Sequence, residues 1–343
     1  MNPTYCSDNP LRLALLASLI AALLPTQLIR STCGASMILC LLLVGAGQAA
    51  VPRAFVSTGG NDANPCSTGQ PCRSFSRALT VVQPGGEIVV QNSGGYSTGF
   101  TITQAVTIDA GGSNASVIST NNTDLCTINA GASDAVVLRG INFHGANVGN
   151  HAISVTRAGS LYVERCSISE FVGNGINISN GGNLFVTDTD VRRCSKGLSV
   201  VGSSLAANLV AHNSRFTECA AGVDIHSSGI GVVVNGWLSD CAASLCSSYG
   251  FVANADAGSI AFLTLTNCRA IGNNIAIASS ANEPAAGAGV AIANCVVTRN
   301  ELGIGIFHAA NSQAFVYGTS PATNLIFSNQ NDGQPPSFPA VLR

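Results

Sequence analysis

A cluster of acids and arginines lies between Glu164 and Glu218. The candidates for chemistry are Asp188, Asp190, Arg192 and Arg215, with Glu170, Arg193, His212 and Glu218 around them. Two carboxylates held in different surroundings across a groove can divide the work of acid and base in glycoside cleavage. Trp237 and Tyr249 form a second candidate, for binding. They fall in one lengthened repeat, Asn235 to Tyr249, and loops that protrude from a regular scaffold often carry function. No aromatic stacking row is evident beyond them. His144, His151, His226 and His308 are scattered without the spacing of metal ligands, so no metal site is expected. Cys66 and Cys72 follow Pro65 and Pro71 with no further ligand close by; a disulfide is favoured there over a metal site.

The element that must position these residues is a repeat. Gly175-Ile176-Asn177-Ile178 recurs as Gly197-Leu198-Ser199-Val200, Gly222-Val223-Asp224-Ile225, Gly250-Phe251-Val252-Ala253, Asn274-Ile275-Ala276-Ile277 and Gly303-Ile304-Gly305-Ile306, with an earlier copy at Ala152. Between the copies lie short strands of period two broken by Gly, Asn and Ser, with no helical run of ten residues or more. Strands without crossover helices exclude a doubly wound sheet. Steps of 22 to 29 residues with about three strands per turn predict a parallel β-helix, an all-β solenoid whose coils bury their apolar faces on one another.

Superposing the repeats sets Glu170 beside Arg192, Arg193 beside Glu218, and Asp190 beside Arg215. Opposite charges on neighbouring rungs stabilise a sheet modestly and need no substrate, which favours a structural role for the cluster. The same superposition stacks Cys194, Cys219, Cys241 and Cys246 ahead of the repeat glycine and puts Cys166, Cys268 and Cys295 on another rung. Buried columns of thiols are expected, with pairing of Cys241 and Cys246 left open. Asn129, Asn142, Asn254, Asn273, Asn274 and Asn300 read as turn ladders that satisfy their own amides.

Residues 51–96 read as an N-terminal cap: a strand, the cysteine loop, a helix over 74–82 and a second strand. The helix covers an apolar end that would otherwise stay open. Coils follow over 97–330 and a tail over 331–343. Residues 1–50 read as a secretory leader with two apolar runs, Leu11–Leu24 and Met37–Val44, and Met37 as a possible true start. Neither run reaches the length of a comfortable membrane span; contact with a membrane is expected only through an uncleaved leader. The chain is secreted or displayed at the cell surface on this reading.

Net charge is −2, only 9% of residues are charged, and Lys196 is the only lysine. Nucleic acid is excluded as a partner, because neutralising phosphates takes clustered Lys and Arg. The oligomeric state is not legible.

The stretch Arg53 to Val90, followed by Thr101 to Gly112, is similar to the cap and first coils of exported bacterial proteins of the right-handed parallel β-helix family, the architecture of pectate lyases and polygalacturonases. The resemblance implies that fold over residues 53 to about 330. It implies little about activity. Thr187-Asp188-Thr189-Asp190 is a loose echo of the Asn-Thr-Asp of polygalacturonase-type hydrolases, but their Asp-Asp, Gly-His-Gly and Arg-Ile-Lys motifs are missing. Pectate lyases hold calcium with several acids and take a proton with a basic residue, and no three-acid group is evident. The leading expectation is a non-catalytic protein that binds polysaccharide or serves as a surface rod, with no cofactor. A diverged lyase or hydrolase is the alternative, and calcium enters only under the lyase reading. The third expectation is a self-associating, adhesin-like module, from low charge and exposed sheet edges.

Overall fold

A computed structural model describes residues 50–256, 258–318 and 324–333. The leader, apart from Ala50, and the tail beyond 333 lie outside the described residues. Among the described residues no helix is long and apolar enough to cross a membrane.

One coil shows how the fold is made. Gly182–Thr187 lies in sheet A, Asp190–Cys194 in sheet B and Lys196–Gly202 in sheet C, and the chain then re-enters sheet A at Ala207–His212. Every strand pairs in parallel with its counterpart one coil away, so the three sheets hold 11, 10 and 10 strands. The product is an all-β parallel solenoid whose one described helix is Phe75–Val81. Alternation makes the core. In sheet C, Ile176, Leu198, Val223, Phe251, Ile277 and Ile304 stack in register and are fully buried. Each such side chain stabilises the stack by about 1.5–3 kcal/mol.

The tight corners depend on single left-handed residues. Arg165, Asp188, Asn213, Asp240, Asn267 and Asn294 turn the chain from sheet A to sheet B, and Glu170, Arg193, Glu218, Leu245 and Arg299 turn it from B to C, all at φ between 45° and 65°. Non-glycine residues seldom adopt this region, with Asn and Asp the usual exceptions. The residue after each corner points inward and forms a column. At the first corner the column is Cys166, Thr189, Ser214, Cys241, Cys268 and Cys295. At the second it is Cys194, Cys219, Cys246, Asn273, Asn300 and Asn329. Cys241 and Cys246 therefore stand in different columns, not one. Both are free and buried, as are the other six described thiols outside the cap.

The two columns solve one problem: a corner amide has no strand partner. Thr189 Oγ1 accepts the Cys166 N–H and Ser214 Oγ accepts the Thr189 N–H. Asn273 Oδ1 accepts the Cys246 N–H, and Asn300 Oδ1 accepts the Asn273 N–H. The expected asparagine ladder thus exists at Asn273 and Asn300. Asn274 instead lies exposed.

The repeat glycines form a third column. A Cβ on Gly222 would sit 2.6 Å from the Gly250 carbonyl oxygen, and one on Gly250 would sit 2.5 Å from that of Ala276. Ala276, not Asn274, occupies this column, because Phe251 pairs with Ile277. The repeat steps around it are therefore more even than the sequence suggested. The lengthened stretch Asn235–Tyr249 is not a protruding loop either. It runs through most of the ordinary strand Val233–Ser239 and all of Ala242–Ser244. Most of the added length lies earlier, in the turn between Ser227 and Val233.

At the N-terminal end Val51–Val56 pairs with Val82–Val90. Cys66 and Cys72 are disulfide-bonded, with Cα atoms 4.6 Å apart. The helix Phe75–Val81 is capped by Ser74, whose Oγ accepts the Arg77 N–H. Asp62 holds that cap in turn, accepting from the Arg73 and Ser74 amides and the Ser74 hydroxyl. The helix buries Phe75 against Phe100 and Tyr96, with ring centroids 5.2 and 5.4 Å away.

Candidate functional site

Asp190, Arg192 and Arg215 lie on the outer face of sheet B, all exposed. Asp190 stands beside Arg215, as the superposition predicts, and Arg192 stands between Ser169 and Thr217. None of these three forms an ion pair among the described residues. Asp188 sits at a corner, where its Oδ1 accepts the Asn213 amide at 2.7 Å. The partner of Glu170 is Arg193 rather than Arg192. The reason is the pairing of Phe171 with Cys194, which places Glu170 and Arg193 at equivalent corners.

The remaining carboxylates of the coils are largely engaged from one rung to the next. Arg139 bridges Asp109 and Glu164 at 2.9 and 2.7 Å. Burial pushes the Asp109 carboxyl up, but the Gly111 N–H and the Arg139 guanidinium outweigh it and hold it below the ordinary value. Asp240 is met by His212 and Asn267.

The best-connected polar group is on sheet C. Lys196 Nζ lies 2.5 Å from Asp224 Oδ2, and Asn254 Nδ2 donates to Asp224 Oδ1 at 2.7 Å. His226 Nε2 lies 2.6 Å from Asp256 Oδ2, whose other oxygen accepts the Asn282 amide at 3.0 Å. The Asp224 side chain is only 7% exposed, so the lysine and amide replace its lost water. Sequence reasoning passed over this network. Two signals could have found it: the chain's single lysine one residue before a repeat glycine, and an aspartate at the repeat position held elsewhere by Asn177 and Ser199. Among the described residues no three His, Cys, Asp or Glu side chains come together as a metal site would need.

Trp237 and Tyr249 are not brought together. Trp237 projects from sheet A, 46% exposed, whereas Tyr249 opens a strand of sheet C.

Residues 86–237 match the family model described as the right handed beta helix region. No curated protein matches the sequence. Among solved structures, the chain is similar to pectate lyase Pel9A at 14% identity and a TM-score of 0.53, covering 78% of this chain and 79% of that one. It is similar to a rhamnogalacturonan lyase at 12% identity and a TM-score of 0.54, covering 83% and 89%. Identities this low speak to fold alone. The stacked parallel coils and their three sheets, with the family match over residues 86–237, give this chain a right-handed parallel β-helix fold of the pectate-lyase-like kind.

Proposed function

We propose that this protein is an exported, non-catalytic β-helix that binds polysaccharide. The observation that carries the reading is the use made of charge. Asp109, Glu164, Glu170, Asp188, Asp224, Asp240 and Asp256 are each held by a side chain from another coil. Acids tied into such ladders strengthen the stack and are poorly placed to exchange protons with a substrate. Much of what remains outside is Ser, Thr and Asn, suited to hydroxyl-rich polymers, together with scattered large apolar residues such as Trp237 and Phe315. The shared fold with a pectate lyase and a rhamnogalacturonan lyase supports a polysaccharide partner. The Cys66–Cys72 disulfide supports an oxidising compartment.

One observation favours a catalytic alternative: Asp190 and Arg215 are adjacent and exposed, and neither side chain is in an ion pair among the described residues. A single assay separates the two. The full chain is incubated with acidic and neutral polysaccharides, with and without calcium, following retention, new reducing ends and unsaturated products. Retention without cleavage is expected. Cleavage that disappears in Asp190→Ala or Arg215→Ala would overturn the binding reading.

A further inference from the structure

Sheet A displays an aromatic column that spacing along the sequence conceals. Tyr162, Phe185, Val210 and Trp237 stand in register on the outer face of four successive coils. The same column runs on through Thr264 and Ala291 to Tyr317. Tyr162 and Phe185 stack face to face, with centroids 4.6 Å apart and planes 8° apart. Phe262 and Phe315, from the adjacent column, lie 6.0 and 5.9 Å from Tyr317. Their rings close over Gly289, where a Cβ would come within 2.6 Å of the Phe315 ring. Trp237, in the middle, is the most open of the group.

The flanks of the column are polar and carry few charged groups. Asn183, Asn208 and Asn235 run along one side, and Thr187, His212 and Ser239 along the other. Asn208 donates to Asn183 at 3.0 Å, and each amide keeps further donors and acceptors. The carboxylate at the rim, Glu164, is already held by Arg139. An exposed apolar strip with a polar rim marks an interaction surface.

We propose that this face binds a neutral, extended glycan laid along the axis of the coils. The aromatic rings would stack on the apolar faces of sugar rings, and the asparagine and hydroxyl columns would bond their hydroxyl rims. From Tyr162 to Tyr317 there are six steps of about 4.8 Å, a track of about 29 Å. The aromatic members Tyr162, Phe185, Trp237 and Tyr317 are spread along the whole of that track, so an occupant that meets them all must be extended. A polyuronate would lose water from its carboxylates here, where Arg139 is already paired with Asp109 and Glu164 and His212 already faces Asp240. The proposal rests on the polysaccharide-binding reading and gives it a surface and a ligand class.

Trp237 is the only tryptophan in the chain, so its emission reports on this face alone. The full chain is titrated with xylan and hydroxyethylcellulose, and with polygalacturonate as the charged comparison. Tryptophan emission is read alongside retardation in gels containing each polymer. The expected result is a saturable blue shift with a neutral polymer, and a loss of about tenfold in affinity for Trp237→Ala, equivalent to about 1.4 kcal/mol, with an unchanged melt. Retardation by a neutral polymer with no change in emission, and none in Trp237→Ala, would overturn this face while leaving the binding reading intact. Binding to polygalacturonate alone would overturn the ligand class. An emission shift that follows protein concentration without polymer would make a second copy the occupant and overturn the proposal. Binding to no polymer would remove both readings.

Discussion

Replacing Asn300 by alanine tests whether the corner columns hold the coils together. Asn300 is 1% exposed. Its Oδ1 accepts the Asn273 backbone N–H at 2.8 Å and the Asn273 side-chain amide at 3.0 Å. Its Nδ2 donates to the Ala270 and Thr298 carbonyls at 3.0 Å and to Asn329 Oδ1 at 2.8 Å. Alanine leaves the Asn273 N–H buried without a partner, at about 1–3 kcal/mol. The Asn273 side chain keeps its bond to Ala243, and Asn329 Oδ1 keeps the Asn300 N–H, so their losses are partial. A total of about 3 kcal/mol follows, which in a domain of this size lowers Tm by roughly 5 °C. Because coils interact only with neighbours, amide exchange should quicken around Cys246 to Asn300 before it does in the N-terminal coils. Asn300→Asp sharpens the test. It keeps an acceptor but loses the donors, and it faces carbonyls and Asn329 Oδ1. A carboxyl there has its pKa raised in the fold, so the variant gains stability as pH falls and loses it as pH rises. An Asn300→Ala protein that melts within 1 °C of the parent, with unchanged exchange, would refute the account of the corners.

Three further outcomes are expected. Asp224→Ala deletes a 7% exposed carboxylate, leaves Lys196 and Asn254 without their acceptor and lowers stability by about 1–3 kcal/mol, whereas Asp190→Ala and Arg215→Ala change it by no more than about 0.5 kcal/mol in denaturant titrations. The coil thiols resist alkylation at pH 8 in the native state and react after unfolding, as peptide mapping would show. Burial pushes Cys166 up to about 11 and Cys246 up to about 12, and the contacts with Cys219, then burial, push Cys194 up as well. For Asp62, burial opposes ionisation, but hydrogen bonds from Ser74 and Arg73 win and leave its pKa lowered from 3.8. Its support of the helix cap is therefore complete above the ordinary aspartate value and is lost as pH falls through the lower folded one. Asp62→Asn should flatten that acid limb in a pH series of melts.

The fold was legible because the coil writes its period into the sequence. Inward positions must be apolar, and the approach of one carbonyl to the next coil demands glycine at 197, 222 and 250. Register failed where that demand was met by another residue: Ala276 fills the glycine column, and Asn274 looked the better match. A two-residue slip there is invisible along the chain, because a period of two returns the same faces inward. The candidate sites were harder to read for a related reason. Whether two charges meet is decided by corner residues, and one corner position separates the pair Glu170–Arg193 from the expected Glu170–Arg192. The aromatic column was hidden more completely. Its members lie 23 to 27 residues apart, on no common motif, and the added residues between Ser227 and Val233 disguised the step that brings Trp237 beside Val210. Adjacency in a solenoid is a property of coil length. Chemistry that runs along the axis can be read only after every turn has been counted, and here that count moves Trp237 from a supposed loop to the middle of the outer face of sheet A.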